Sequence, residues 1–477
     1  MSTARLLIAA FLLTPVWAAP PAEPVRALSR EILRELIEIN TTDSVGSTTV
    51  AAEAMRQRLL AAGFAPADAV VLGPNARKGN LVARLRAAHP GGPKPILIIA
   101  HLDVVEARRA DWTTDPFRFV EKDGFFYGRG TQDMKGADAI MVTTLIRFAR
   151  EGYRPDRDII LALTADEEGG TSNGVDWLLK NHRELVDADF ALNPDSGGVT
   201  TERGKPLDVE VASCEKLYAD FELKATNPGG HSSLPVADNA IYHVADALGR
   251  LEHAVFPFEL NAVTRAYFGR LAQVESAQNA ADIGAMLAEP TDAAAIARLG
   301  RVPVFNALVR TTCVATRFEA GHANNALPQS ARAIVNCRIL PGHAAEEVRI
   351  ELERIVADPA VSVRHISDLT NAIADRAPAG KALAPVTLRK DVLDPLARLA
   401  AQFWPGAPVV PDMETGASDS KYTNAAGIPS FGFSALALDR DDVRAHGRDE
   451  RLRASAYYDG VEFYYQYLKA LTGGAAD

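Results

Sequence analysis

The chain has 477 residues, of which 47% are hydrophobic and 23% are charged, the proportions of an ordinary soluble globular protein. Because this length exceeds what a single compact core usually supports, we expect two domains. The formal net charge of −10, with no long basic run, argues against nucleic acid or an anionic membrane surface as a partner.

The N-terminus has the pattern of an export signal. One cation, Arg5, precedes an almost entirely apolar run over residues 6–18, which is too short to span a membrane. The run ends in Val16-Trp17-Ala18, with small residues at the positions that a signal peptidase reads. We therefore predict a signal peptide over residues 1–18 and a secreted or periplasmic mature protein without stable membrane association. The alternative is a buried or interfacial N-terminal helix.

An α/β pattern follows. Apolar residues at helical spacing predict helices over residues 25–39 and 49–62. Continuous apolar runs, typical of strands that are covered on both faces, end at His101 and Thr164. The alternation continues with helices over 136–149 and 173–181 and strands over 190–193 and 209–212. Together these elements predict a doubly wound α/β domain whose first part covers residues 19–214.

The pattern changes near residue 215. Alternating strands and amphipathic helices then follow in the order β-α-β-β-α-β, which predicts an independent α+β unit over residues 215–368. An alanine-rich helical stretch at 256–304 interrupts this unit and carries no motif that we can interpret. The first pattern resumes over residues 369–477, with helices over 392–403 and 454–471, so the second domain is inserted inside the first.

Acidic and histidine-bearing motifs recur at the ends of predicted strands and turns. They are, in chain order, His101-Leu-Asp103, Asp133 in GRGTQDMKG, Asp166-Glu167-Glu168, Asp195 in LNPDSGG and His446 in AHGRDE. Together they supply two imidazoles and three carboxylates as metal ligands, with one carboxylate left over. This set suits a pair of cations that share a bridging carboxylate. The sequence therefore predicts a dinuclear zinc hydrolase.

The run of three adjacent acids is the sharpest of these signals. It directly follows a buried strand, where carboxylates are costly unless a cation lies among them. Because neighbouring residues point in different directions, one glutamate can bind metal while the other acts as a base. His101 and Asp103 share one face of a strand, so the carboxylate can orient the imidazole. Taken singly, three of the residues could equally be a helix cap, a turn acid and a surface histidine: Asp133, Asp195 and His446.

Other polar positions suit contacts with a substrate. His231 is preceded by two glycines and followed by two serines, which makes it a candidate oxyanion partner or, alternatively, part of a helix cap. Lys421 and the strand end at Gly432 also suit substrate contacts, although surface solvation is the simpler account of Lys421. The cysteines lie apart from these motifs and permit at most one disulfide; we expect all three to be small core residues: Cys214, Cys313 and Cys337.

The order and the residue patterns of the motifs resemble those of a known family. It is the family of dizinc metallopeptidases that includes aminoacylase, carboxypeptidase G, carboxypeptidase S and succinyl-diaminopimelate desuccinylase. The resemblance covers nearly the whole mature chain and rests on the blocks HLDVV, GRGTQDMKG, TADEEGG, GGHSSLP, ALPQSARAIVNCRILPG, GASDSKYTNAAGIPSFGF and AHGRDERL. It implies a zinc-peptidase-like catalytic domain, an inserted lid or dimerisation domain, and a homodimer.

The resemblance also implies a role for each motif residue. One zinc ion would be held by His101 and Asp195 and the other by Glu168 and His446, with Asp133 as the bridge. Asp103 would support His101, Glu167 would be the general base, and His231 would stabilise the oxyanion, typically in a neighbouring subunit's site. The positions that match substrate contacts in relatives are Asn325, Arg338 and Lys421.

Two positions depart from the family pattern. Asp195 follows Asn-Pro, where relatives often read Asn-Glu-Gly-Gly. Lys421 stands where many relatives have arginine, and lysine cannot bind a carboxylate in bidentate fashion. The first departure bears on whether Asp195 aligns with the ligand of the relatives. The second bears on whether the substrate carries a free carboxylate, as it usually does in the family.

The expected reaction is hydrolysis of an amide bond in a peptide or an N-acyl amino acid, as in a carboxypeptidase or dipeptidase. A deacylase of small N-substituted amino acids is the alternative within enzymes, and an inactive metal-bound periplasmic binding protein is the alternative outside them. Cobalt or manganese could replace zinc in such a site.

Overall fold

The structure is a computed structural model that describes residues 20–288, 290–368, 370–380 and 383–473. The predicted signal peptide lies outside these residues. Within the described ranges, no helix has both the length and the apolar composition that crossing a bilayer requires.

The helices agree closely with the sequence pattern. Each of the predicted helices is present, with ends that lie within two residues of the predicted ones. In chain order the helices are α1 (Glu23–Glu38), α2 (Thr48–Ala61), α3 (Lys135–Glu151), α4 (Gly174–Asn181), α5 (Arg183–Val186), α6 (Ala240–Glu252), α7 (Ala262–Leu271), α8 (Ala277–Leu287), α9 (Ala293–Leu299), α10 (Pro303–Val309), α11 (Ala345–Val356), α12 (Lys390–Phe403), α13 (Ser420–Ala425) and α14 (Ala454–Thr472).

The strands show two differences from the predictions. The strand expected over 209–212 is longer. The alternating pattern over residues 308–318 predicts a strand there, but residues 308 and 309 end a helix, because a proline at position 303 starts a helical turn. In chain order the strands are β1 (Ala69–Leu72), β2 (Asn80–Leu85), β3 (Ile96–His101), β4 (Val120–Lys122), β5 (Phe125–Tyr127), β6 (Ile159–Thr164), β7 (Phe190–Asn193), β8 (Gly198–Glu202), β9 (Lys205–Glu215), β10 (Leu217–Thr226), β11 (Gly230–His231), β12 (Thr312–Ala320), β13 (Ala326–Leu327), β14 (Ser330–Ile339), β15 (Val361–Ile366), β16 (Ile373–Ala374), β17 (Val409–Glu414), β18 (Ser430–Gly432), β19 (Ala437–Asp439) and β20 (Arg451–Arg453).

The larger sheet carries the helices on both faces, as predicted for an α/β domain. Its strand order is β1-β2-β6-β3-β7-β18-β9-β8-β19, and β17 also pairs with β9. The central strands β6, β3, β7 and β18 run parallel, and every residue of β3 and β6 is buried. One apolar cluster on one face joins α1, α3 and α14 to the sheet, and a second packs α4 against the other face. Parallel strands covered in this way bring their carboxyl ends to one edge.

The smaller sheet forms the inserted α+β domain, which we call the lid. Its order is β12-β14-β10-β15-β16, all antiparallel, and α6 and α11 cover one face. The chain enters the lid between Glu215 and Leu217, where β9 of the large sheet gives way to β10 of the small one. The predicted fold class, an α/β domain with an inserted α+β domain, is confirmed.

The alanine-rich stretch belongs to neither sheet. Its helices α7 to α10 form a separate apolar cluster whose other members include Cys214 and Met413, at the ends of β9 and β17. The stretch therefore packs against the base of the lid and the edge of the large sheet.

Cys214 and Cys337 are buried core residues, as expected, whereas Cys313 is only partly buried. Cys313 and Cys337 stand directly opposite each other on β12 and β14, with Cα atoms 4.1 Å apart, and they form a disulfide. Only pairing between the strands, which sequence spacing does not reveal, brings them together. Cys214 is a free thiol and is buried, as expected.

Candidate metal centre

Three of the predicted motifs lie side by side because their strands are neighbours. His101 is the last residue of β3, Asp166 to Glu168 follow β6, and Asp195 follows β7. Since β6, β3 and β7 are parallel and adjacent, these side chains meet at one edge of the sheet. Asp133 and His446 come from loops that fold back over the same edge.

The five predicted ligands surround two positions. The Nε2 atom of His101 lies 3.1 Å from Oδ1 of Asp133 and 3.5 Å from Oδ1 of Asp195. The Nε2 atom of His446 lies 3.0 Å from Oδ2 of Asp133 and 2.8 Å from Oε1 of Glu168. The two oxygens of Asp133 therefore face different imidazoles, which is the arrangement of a bridging carboxylate.

These separations are close to those that a divalent cation requires. Ligand atoms at about 2.0–2.2 Å from one tetrahedral ion stand about 3.3–3.6 Å apart, so the shorter pairs would separate by a few tenths of an ångström around an ion. Two groups of three side chains have ligand atoms within 4.8 Å of one another, and both include His101; the groups are His101, Glu167 and Asp195, and His101, Asp133 and Glu168. Within the described parts of the chain, no other group meets this criterion.

The electrostatics of the site also indicate positive charge. Burial raises the pKa of Glu168 to about 7, and burial together with the charge of Asp195 raises the pKa of Glu167 well above its usual value. Hydrogen bonds to Asp133 and Glu168 raise the pKa of His446 to about 10. The raised pKa values of the acids show that buried negative charge crowds this site, and a divalent cation would balance that charge on binding.

Asp103 contacts His101 through a different group from the predicted one. The Nδ1 atom of His101 lies 3.0 Å from the main-chain oxygen of Asp103, whereas its separation from the carboxylate is 3.8 Å. The carboxylate instead accepts hydrogen bonds from the backbone N–H groups of Glu167 and Glu168, at 3.1 and 2.9 Å. Asp103 therefore orients the imidazole through its carbonyl group and holds the two glutamates through its side chain.

Glu450 was not predicted as a site residue, yet it holds two ligand loops. Its fully buried carboxylate accepts hydrogen bonds from the backbone N–H groups of Gln132 and Asp133 and pairs with Arg129 at 2.6 Å. Arg129 in turn donates to the carbonyl oxygen of Gly447, next to His446. The acid in AHGRDE, four residues after the histidine, was the only signal for it in the sequence.

The metal centre forms the floor of an open cleft of about 510 Å³ between the catalytic domain and the lid. Arg338 from β14 and Lys421 from α13 line it, together with Tyr218, Asp220 and Asp368. Arg338 stacks 4.7 Å from the ring centre of Tyr218, and Lys421 lies 3.5 Å from a carboxylate oxygen of Asp368. The two predicted substrate cations therefore line the same cleft as the proposed metal ligands.

The other predicted contacts do not line this cleft. His231 pairs with Ala326 on the β11–β13 ribbon of the lid, and Asn325 directly precedes β13. Both side chains are exposed, and neither lines the cleft. Gly432 is a correction: it lies behind Ser196, whose Oγ atom would be 1.9 Å from any added Cβ, so it backs the Asp195 loop and does not touch the cleft.

Comparisons with known proteins place this architecture in a family. The sequence profile of Peptidase family M20/M25/M40 matches residues 97–470. The chain is 31% identical over 391 residues to probable carboxypeptidase S-like 2 of Dictyostelium discoideum, covering 79% of this chain and 71% of that protein. It is 29% identical over 391 residues to human N-fatty-acyl-amino acid synthase/hydrolase PM20D1, covering 79% and 74% of the two chains.

Solved structures share the fold. An M20 family metallo-carboxypeptidase, Sso-CP2 from Sulfolobus solfataricus, superimposes with a TM-score of 0.68 at 17% identity, covering 93% of this chain and 99% of that one. Human carnosine dipeptidase 1 gives a TM-score of 0.65 at 16% identity, covering 95% and 100%. The predicted family is thereby confirmed: the chain belongs to the M20/M25/M40 peptidase family and is a metal-dependent amide hydrolase.

Proposed function

We propose that this protein is a dizinc exopeptidase that cleaves short polar peptides or short-chain N-acyl amino acids bearing a free carboxylate. The observation that carries the proposal is the bridging geometry of Asp133 between His101 and His446, with Glu167 beside it on the floor of a polar cleft. Zinc is proposed because the ligands combine imidazoles with carboxylates. Cobalt and manganese are the alternatives.

The residues of the chain divide the reaction between them. Bound zinc would supply a Lewis acid that polarises the amide carbonyl and brings the pKa of water near 7. Glu167 would take the proton from the attacking water and deliver it to the departing amine. The carboxylate of Asp103 accepts a hydrogen bond from the backbone N–H of Glu167 and so holds Glu167 in place. The imidazole of His231, supplied from a second subunit, would donate to the oxygen of the tetrahedral intermediate.

The walls of the cleft favour a polar substrate. Among its described lining residues, Ile366 is the only aliphatic side chain larger than alanine, and the rest are mainly acids, amides, serines and glycines. A long acyl chain would find little apolar surface to cover, and each uncovered CH₂ forgoes about 0.8 kcal/mol. The cleft therefore favours a peptide or a short acyl group over a fatty acyl chain.

The free carboxylate of the substrate would bind Arg338. Lys421 is already close to Asp368, whereas within the described chain no carboxylate forms an ion pair with Arg338. The guanidinium group can also bind a carboxylate through two hydrogen bonds, which the ammonium group of lysine cannot.

A homodimer is proposed because the lid leaves a pairing surface exposed. Strand β12 is an edge strand of the lid sheet, and its Val314 and Phe318 are 60% and 45% exposed. Such an edge readily pairs with another chain. A second copy would cover it and could carry His231 to the neighbouring cleft.

Export to the periplasm or the cell exterior is also proposed. It rests on the sequence pattern of residues 1–18, and the disulfide between Cys313 and Cys337 supports it because such bonds persist in oxidising compartments. A fusion of residues 1–18 to a reporter that is active only after export would test it.

A substrate panel tests the function. The zinc-loaded protein is incubated with dipeptides, N-acetyl amino acids and N-palmitoyl amino acids, and the released amine is measured. We expect turnover of dipeptides or acetyl amino acids and at least 10-fold lower kcat/KM for the palmitoyl series. Preference for acetyl amino acids would identify a deacylase, and tight binding without any turnover would identify the binding protein. Preference for palmitoyl substrates would contradict the proposed substrate class.

A further inference from the structure

A buried lysine lies directly beneath the loop that carries the two glutamates. Lys78 precedes β2, and its side chain is 11% exposed. Its Nζ atom contacts Oδ1 of Asp43 at 2.5 Å and also contacts a carboxylate oxygen of Asp166. Asp166 is only 1% exposed, whereas Asp43 is 56% exposed, so the contact with Asp166 is the buried one.

The loop from residue 166 to residue 173 is folded around the carboxylate of Asp166. One oxygen of that carboxylate accepts a hydrogen bond from the backbone N–H of Ser172 at 3.0 Å. The side-chain amide of Asn173 donates to the main-chain oxygen of Asp166 at 3.1 Å. Gly170 passes so close that an added Cβ would lie 2.3 Å from Oδ2 of Asp166. Asp166 has a φ of +58°, in the left-handed region, which is unfavourable for residues other than glycine. The contacts of its carboxylate offset this unfavourable backbone energy.

The same loop sets the positions of the base and of one metal ligand. Glu167 and Glu168 are the next two residues, and their backbone N–H groups donate to the carboxylate of Asp103. Lys78 holds Asp166, the residue before them. Asn80, two residues after the lysine, accepts a hydrogen bond from the backbone N–H of Ala165 at 2.9 Å, so the start of β2 supports the loop at two consecutive positions.

Lys78 also supplies charge where carboxylates are crowded. Burial lowers its pKa, but the hydrogen bonds to Asp166 and Asp43 raise it more, so the ammonium form persists. Without that cation the buried carboxylate of Asp166 would be uncompensated, and the loop would have to open to hydrate it. That opening would move Glu167.

We infer that Lys78 is a positioning residue of the active site, which acts through Asp166 to hold Glu167 and Glu168 in register with the metal ligands. The inference deepens the proposed function, because it rests on Glu167 as the base. Residues that orient metal ligands from behind typically contribute about 10- to 100-fold in activity or metal affinity.

The test compares Lys78→Met with Lys180→Met, a matched change at an exposed lysine on α4 whose side chain is 64% exposed. With the best substrate of the panel and saturating zinc, we expect K78M to lower kcat about 10- to 100-fold with less than about a threefold change in KM. K180M should match the wild type. A kcat for K78M within about twofold of that for K180M would overturn the inference.

A double variant separates positioning from loss of folding. Asp166→Asn combined with Lys78→Met leaves no buried charge unpaired, so it should fold even where K78M does not. Because both residues act on one loop, the double variant should lose no more activity than the less active of the two single variants, K78M and D166N. Losses in kcat that multiply, or full activity in the double variant, would both contradict the inference.

Metal release provides a readout that does not require turnover. Since Glu168 sits on the same loop, zinc should pass to a chelator about 10-fold faster from K78M than from the wild type. If the wild type hydrolyses no substrate in the panel, the proposed function fails, and the release rate still decides the role of Lys78. Equal rates of zinc release from K78M and the wild type would then overturn the positioning role of Lys78.

Discussion

The two halves of the cleft differ in how their residues are held. In the catalytic half, every predicted ligand side chain lies within 3.5 Å of another, and the ligand loops are tied by buried groups such as Asp103 and Glu450. In the lid half, Arg338 lines the cleft, but His231 and Asn325 are exposed and lie outside it. The contrast indicates that the residues of the metal centre are assembled within the catalytic domain, whereas the proposed oxyanion role of His231 would depend on how the lid and a second chain are placed.

The largest effect is expected from the base in the catalytic half. Glu167→Gln removes a proton acceptor without removing any of the five proposed ligands, so kcat should fall about 10³-fold while bound zinc, measured by elemental analysis, stays at the wild-type level. Glu184→Gln, at a side chain that is 71% exposed, is the control and should be neutral. Substantial residual turnover in E167Q would assign the base elsewhere.

The second prediction concerns the lid half. His231→Ala should reduce kcat about 10²-fold through loss of an oxyanion donor, again with full metal content. Co-expression of H231A with E167Q chains should restore about a quarter of wild-type activity, because each mixed dimer has one intact site. If mixing restores nothing, His231 acts in its own subunit or the protein is a monomer, and the contrast between the two halves disappears.

The third prediction separates the two cations that face the cleft. Arg338→Met should raise KM about 10-fold or more, since a charged hydrogen-bonded contact contributes about 1.5–3 kcal/mol. Lys421→Met should raise KM by less than about fivefold, because Lys421 is already close to Asp368. Steady-state kinetics on a dipeptide and on its C-terminal amide provide the measurement. Equal effects of both changes would show that the substrate carboxylate lies between them.

The smallest effect is on stability and comes from an acid of the catalytic half that is outside the metal centre. Burial and the charge of Glu414 raise the pKa of Asp412 to about 8. The folded state therefore favours the protonated form, and its contribution to stability is complete below the unfolded pKa near 4 and is lost as the pH rises towards 8. The side chain in Asp412→Asn cannot ionise and so does not lose this contribution. The Tm of the variant minus the Tm of the wild type should therefore be several degrees larger at pH 8 than at pH 5. Thermal melts at both pH values would show this, and an unchanged difference would contradict it.

Some of the proposed metal ligands stood out in the sequence because they belong to a local pattern. Buried apolar runs identified β3 and β6, and the polar residues at their carboxyl ends had to share an edge once the strands were parallel and adjacent. The three adjacent acids were informative because carboxylates after a buried strand require a cation. Asp133 and His446 were individually ambiguous, and the resemblance to a family supplied their roles.

The supporting contacts were not predictable in the same way. Glu450 lies 317 residues beyond the backbone N–H of Asp133 that it binds, and Lys78 lies 88 residues before the acid that it contacts. Neither residue stands out in the sequence, because a charged side chain reads as solvated unless its burial is known. The disulfide was missed for the same reason, since strand pairing and not spacing joins Cys313 to Cys337.

Local sequence was sufficient for the elements, the fold class and the chemistry, because hydrophobic period and ligand chemistry are properties of short segments. The tertiary structure alone showed that Asp103 holds the two glutamates, that Gly432 lies behind Ser196 and that His231 is exposed and does not line the cleft of its own chain. Those facts depend on contacts between segments distant in the chain, and no local pattern encodes such contacts.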